Sequence, residues 1–305
     1  YYLWDECIMT PFFIALQFLT RLKLVNQTEW TVEDFGKSVV AFPYVGLIIG
    51  LILALLYGVL SPFIPIMPLM LIIVVSEFLL TGGLHADGLM DTSDGLFSGR
   101  ERERKLEIMK DSRVGSFGVV AFVFVTLLKW QLLAAIPTAE FIPMALIMMP
   151  LMSRWSMVFS IRSYPYAREQ GMGAAFANLA PKHVISYNTI STFFMPFVLL
   201  LIGILLYTLL YGAFAIFAVP DVGYVVGLGV LVYATIGVFQ INSISMIITY
   251  IINRFLNRYI VKELGGTTGD TYGFVVEVTE VLLILVYLII LSILSATVVA
   301  NPTMF

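Results

Sequence analysis

Apolar runs of bilayer-spanning length recur along the chain, and they leave few folds open. A helix needs about 20 apolar residues to cross the hydrocarbon core. Runs near that length lie at about 38–60, 66–83, 114–136, 142–160, 189–211, 224–252 and 274–299. Backbone inside lipid must satisfy its own hydrogen bonds. The expectation is therefore an all-α polytopic membrane bundle of about seven transmembrane helices. Residues 10–24 (TPFFIALQFLTRLKL) are too short and too mixed to span, and read as an amphipathic or half-inserted N-terminal helix. Composition agrees: 60% of the 305 residues are hydrophobic and 12% charged, against about a quarter charged in a soluble domain.

One integral-membrane domain, 1–305, accounts for the whole chain, with polar loops at about 84–113, 161–188 and 253–273. Those loops carry Arg100, Arg102, Arg104, Lys105, Lys110, Arg113, Arg162, Arg168, Lys182, Arg254, Arg258 and Lys262, and the N-terminal segment adds Arg21, Lys23 and Lys37. The opposite loops near 61–65, 137–141 and 212–223 contain no Lys or Arg. The positive-inside rule makes the polar loops cytoplasmic and, with an odd number of spans, puts the C-terminus outside. Cys7 is the single cysteine, which excludes a disulfide framework or a Cys-rich metal site. Asp5 and Glu6 stand where a cleavable signal would be basic. The net charge of −3 and the lack of a broad basic surface exclude a nucleic-acid partner. Nothing in the sequence fixes an oligomeric state.

Against this apolar background stands TGGLHADGLMDTSDG, residues 81–95. Asp87, Asp91 and Asp94 fall at i, i+4 and i+7, one stripe of a helix. Three ionised carboxylates in a stripe repel one another unless a cation or basic groups neutralise them. Carboxylates with waters suit a hard ion such as Mg²⁺, whose common use in such a setting is to hold a diphosphate for in-line transfer. His85, just before the stripe, is either a proton carrier or a structural histidine.

A second motif, KDSRVGSFG (110–118), adds a carboxylate, Asp111, and two phosphate ligand types, Lys110 and Arg113. The intervening SGRERERKLEIMK reads as a salt-bridged surface helix that returns Asp111 towards the stripe. A third patch, LGGTTGDTYGFVVEVTE (264–280), carries Asp270, Glu277 and Glu280 into the last span. Carboxylates entering a membrane are candidates for function. Inside other spans, Glu77 points towards the stripe and Arg154 pairs with an acid or a ligand phosphate. Lys129 reads as a snorkelling cation. Glu77, Arg154, Asp270, Glu277, Glu280, Lys110 and Arg113 are the candidate substrate-binding residues.

GGLHADGLMDTSDG, KDSRVGSFG and LGGTTGDTYG, in that order, together with FFIALQFLTRLKL and FPYVGLIIG nearer the N-terminus, strongly resemble the cobalamin synthase family, the adenosylcobinamide-GDP ribazoletransferases. The resemblance runs from about residue 12 to 280. Three separate motifs over that length are far more specific than one spaced-aspartate stripe. Ala86, Met90 and Ser93 depart from the family's pattern between the acids, and the acids themselves are in place. The resemblance implies a Mg²⁺-dependent enzyme of the cytoplasmic (inner) membrane. It would transfer adenosylcobinamide phosphate from adenosylcobinamide-GDP to the 5′-hydroxyl side of α-ribazole or its 5′-phosphate, and release GMP. Such phosphoryl transfer needs metal on the diphosphate, a base for the attacking hydroxyl and cations for the leaving phosphate. Asp87, Asp91 and Asp111 are the expected metal ligands, and Asp94 a ligand or the base. His85, Lys110 and Arg113 complete the catalytic candidates. The alternatives are a CDP-alcohol phosphotransferase-like enzyme, an aspartate-rich prenyltransferase-like enzyme, or a cation transporter. The transporter would place its acids at the bilayer midplane on broken helices.

Overall fold

The computed structural model describes residues 9–25, 30–168, 171–215 and 223–300. Cys7 and part of the loop near 212–223 lie outside them. Among the described residues the chain is helical, with one isolated parallel bridge, Tyr166 to Thr267. Five stretches are long and apolar enough to cross a membrane: Val32–Leu60, Ser116–Ala134, Ala139–Ser163, Val184–Gly203 and Gly269–Ile293. Ile66–Thr81 with Leu84–Phe97 makes a sixth if that bent pair is counted as one span. The predicted run 224–252 falls within one continuous helix, Gly223–Leu264. The chain is a multi-pass, all-α membrane bundle.

The N-terminal helix α1 (Met9–Leu19) buries Ile14, Ala15, Leu16 and Leu19. Just beyond it, the Arg21 N–H donates to Leu80 O at 2.7 Å. Helix α2 (Val32–Ser38) opens on a capping box, the Asp34 N–H donating to Thr31 Oγ1 at 3.1 Å and the Thr31 N–H to Asp34 Oδ2 at 3.2 Å. It runs through a 3₁₀ turn into α3 (Phe42–Leu60). Gly46 and Gly50 let α3 lie directly on α8 (Ile142–Ser163), the most enclosed span; a Cβ on Gly46 would sit 2.3 Å from Pro150 O.

The segment that positions the aspartates is α4 (Ile66–Thr81) and its continuation. Gly82 (φ 63°) and Gly83 (φ 75°) both take the left-handed conformation, which costs glycine little. They turn the chain by 90° into α5 (Leu84–Phe97). The expected loop 84–113 is therefore a packed helix over its first half. The aspartate segment, with glycines and apolar residues between the acids, has one face that can be buried. Gly88 on α5 meets Gly273 on α12 (Gly269–Ala300), where a Cβ on Gly88 would come within 2.6 Å of Asp270 O.

Helix α6 (Arg102–Ile108) is the expected charged surface helix, with an exposed Arg104–Glu107 pair at 2.7 Å. Its Lys105, however, is buried against Glu263 near the end of α11 (Gly223–Leu264). α7 (Ser116–Ala134) turns a broad apolar face outward, including Phe124 and Leu128. α9 (Met172–Leu179) places Phe176 among Phe18, Phe35 and Phe42. α10 (Val184–Ala215) and α11 complete the bundle. Asn253 on α11 donates to Ser156 O, Ser156 Oγ and Ser160 Oγ on α8, each at 2.8 Å. These are interhelical bonds of the kind that hold helices together where the hydrophobic effect between them is weak.

Candidate active site

The sequence-selected residues fall into three groups. The first lies where α5 crosses the start of α12. Asp87 is exposed and Asp91 half-buried on α5, and the Gly88–Gly273 contact brings Asp270 beside them. Asp91 sits in the repelling field of Asp87, Asp270 and Asp94, opposed by Arg168. Arg168 donates from Nη1 to Asp270 Oδ2 at 2.9 Å. Its segment is pinned to the turn before α12: the Ala167 N–H donates to Thr267 O, and the Thr267 N–H to Pro165 O, both at 2.8 Å. In the sequence Arg168 is one of many loop cations. Its place beside Asp270 comes from a contact 102 residues apart in the chain, which no local pattern announces.

Asp94 belongs to the stripe by spacing but is engaged elsewhere. Its oxygens accept the N–H of Gly115 at 2.7 Å and of Gly118 at 2.8 Å. It thus caps the first turn of α7, where unpaired amides and the helix dipole favour an anion. Both glycines are needed for the fit, since a Cβ on Gly115 would lie 2.3 Å from an Asp94 oxygen.

The second group flanks a cleft of about 300 Å³ whose wall includes Asp94, Arg100, Arg104, Asp111, Arg113 and Ser116. Arg113 grips Asp111 side-on, Nε to Oδ1 at 3.0 Å and Nη2 to Oδ2 at 2.7 Å. Bonds from the Arg113 side chain, then from its backbone N–H, hold the Asp111 carboxyl down to about 2. Asp111 is thus matched to Arg113 on the surface rather than joined to Asp87 and Asp91. Lys110 is exposed beside it.

The third group is buried in the bundle. Lys129 Nζ donates to Glu77 at 3.2 Å and to Glu277 at 2.9 Å, and it also bonds Glu280. Arg154 bonds Glu280 and lies 3.7 Å from Glu77, while Ser153 Oγ donates to Glu280 at 2.8 Å. Lys129 therefore does not snorkel; it is 3% exposed and tied to three glutamates. Arg154 is paired with acids, one of the two readings the sequence left open. His85 is fully buried in the field of Arg154, Glu280 and Lys129, and its Nε2 has no hydrogen-bond partner among the described residues. Its place is with this network, away from the exposed edge of the stripe.

Among the described residues, no three His, Cys, Asp or Glu side chains converge closely enough to hold a metal by themselves. The carboxylates of Asp87, Asp91 and Asp270 are nonetheless the oxygen donors that a hard cation takes. Mg²⁺ keeps several waters and is commonly held by one or two carboxylates plus substrate phosphates, and the donors here are hard oxygens set against a single arginine.

The family profile described as cobalamin-5-phosphate synthase matches residues 11–288. A protein of Desulfitobacterium hafniense (strain Y51), named adenosylcobinamide-GDP ribazoletransferase, is 36% identical over 91% of this chain and 96% of its own length. A protein of Fusobacterium nucleatum with the same name is 33% identical over 92% of this chain and 98% of its own. One of Acetivibrio thermocellus, again so named, is 42% identical over 54% of this chain and 66% of its own. No solved structure matches. With a profile match from α1 into α12 that takes in all three groups of site residues, the chain belongs to the cobalamin-5-phosphate synthase family.

Proposed function

We propose that this enzyme is a Mg²⁺-dependent adenosylcobinamide-GDP ribazoletransferase of the cytoplasmic membrane, with its site open to the cytoplasm. The observation that supports this reading is the Gly88–Gly273 contact at the α5–α12 crossing, which sets Asp270 in the same electrostatic field as Asp87 and Asp91. Asp87, Asp91 and Asp270 would hold Mg²⁺, which neutralises the donor diphosphate. In this assignment Asp270 takes the ligand place expected of Asp111.

A ribose hydroxyl oxygen of the acceptor attacks the corrinoid-side phosphorus, and the anhydride bond to GMP breaks. GMP leaves with the bridging oxygen, and the hydroxyl proton passes to a carboxylate of the cluster. The family description names a product that carries a 5-phosphate. In this reading an acceptor whose 5′ oxygen is already esterified attacks through another ribose hydroxyl, in place of the expected 5′-hydroxyl side. Asp94 acts by position, fixing α5 against α7. Arg100, Arg104 and Arg113 line the cleft that Asp94 borders and would supply positive charge for the departing phosphate. The Lys and Arg residues gathered at this end of the bundle favour its cytoplasmic placement.

Purified protein given adenosylcobinamide-GDP, α-ribazole or its 5′-phosphate, and Mg²⁺ should release GMP and form the joined corrinoid. Chelation should stop it. No product under those conditions, with a CDP-activated lipid consumed instead, would overturn the reading.

A further inference from the structure

We infer that Arg168 is a phosphate ligand of this site, held ready by Asp270 and able to take the donor diphosphate only when a cation has neutralised the neighbouring carboxylates. The inference rests on the phosphoryl-transfer reading above and adds a residue to it. A guanidinium offers two binding edges, and the edge formed by Nε and Nη2 matches two oxygens of a phosphate or carboxylate. Arg113 uses that edge on Asp111. Arg168 does not: it meets Asp270 through Nη1 alone, while its Nε and Nη2 are buried without a hydrogen-bond partner among the described residues. Buried donors left unmade are costly in folded proteins, so Nε and Nη2 of Arg168 stay unsatisfied until an acceptor reaches them.

The setting selects its class. The 165–167 segment is fixed to Thr267 by two backbone bonds, and Gly266 is tucked beneath it, where a Cβ would lie 2.6 Å from Pro165 O. Arg168 therefore departs from a fixed backbone, not a loose loop. Its guanidinium lies against Asp270 and acts on Asp91, and an anion brought beside these carboxylates alone would be repelled. A divalent cation on the carboxylates reverses that field. Cation and diphosphate should then bind with positive coupling, each raising the affinity for the other.

The test uses the full-length protein in detergent, with Mn²⁺ binding followed by electron paramagnetic resonance and GDP binding by equilibrium dialysis with and without Mg²⁺. The wild type should bind GDP far more tightly with Mg²⁺ than without. Arg168→Lys keeps the charge and the partner Asp270 but lacks the fork. It should keep Mn²⁺ binding and lose about ten- to a hundredfold in Mg²⁺-dependent GDP affinity. Arg168→Gln should lose at least as much. If Arg168 merely neutralised Asp270, the lysine variant would bind GDP as the wild type does, and that result overturns the inference alone. A wild type that binds neither Mn²⁺ nor GDP removes the phosphoryl-transfer reading and this inference together.

Discussion

Asp94 of α5 accepts the Gly118 N–H of α7 at 2.8 Å, with Gly115 donating to its other oxygen at 2.7 Å. One carboxylate of a three-aspartate stripe is thereby a helix cap, and the stripe divides by role. Removing that cap in Asp94→Ala should lower stability by roughly 2 kcal/mol. Thermal unfolding in detergent reads the loss. Unchanged unfolding with lost turnover would move Asp94 back among the reacting groups.

Asp87→Ala and Asp91→Ala should abolish turnover while the protein unfolds at or near the wild-type temperature, because Asp87 is exposed and Asp91 half-buried. Asp111→Ala should retain most activity, since that carboxylate is matched to Arg113. Steady-state rates at saturating Mg²⁺, set beside unfolding curves, check all three variants. A dead Asp111→Ala enzyme that still folds would return Asp111 to the metal site.

Lys129→Met leaves Glu77, Glu277 and Glu280 without their shared cation. Breaking a buried pair in this way costs about 3–5 kcal/mol. Arg154 remains for Glu280 and Glu77, so the double variant Lys129→Met/Glu277→Gln should recover part of the loss. A double-mutant cycle on unfolding temperature measures it; strictly additive losses would mean that the network does not act as a unit.

Gly88→Ala should act on both stability and chemistry. Its added Cβ would meet Asp270 O at 2.6 Å, and relieving that overlap separates α5 from α12, at about 1–3 kcal/mol. Turnover should fall further than stability explains, because Asp270 moves away from Asp87 and Asp91. Activity at a temperature where the variant is fully folded tests this, and wild-type rates there would refute the crossing as the site.

Much of the architecture was legible in the chain. Apolar run length located the spans, because each must match one lipid thickness, and the i, i+4, i+7 spacing identified α5 as a helix with an acidic face. What could not be read depends on distant partners. Gly82 and Gly83 look like ordinary punctuation, yet their two left-handed residues turn a span end into a packed crosswise helix. Lys129 has the sequence context of a snorkelling lysine; only the approach of α4 and α12 supplies its three glutamates. Asp94 differs from Asp91 solely in what lies opposite, and Arg168 gains its meaning from a backbone bridge to Thr267.

The α5–α12 crossing also constrains how the protein comes into being. Chains emerge from the ribosome N-terminus first, so Asp87, Asp91, Lys129 and Arg154 are made well before Asp270, Glu277 and Glu280. Among the described residues, the acids paired with Lys129 and Arg154 are Glu77 and, from the final helix, Glu277 and Glu280. A chain stopped short of Gly269 would therefore lack two of the three glutamates that hold Lys129, and the last helix both closes the bundle and balances its buried charge.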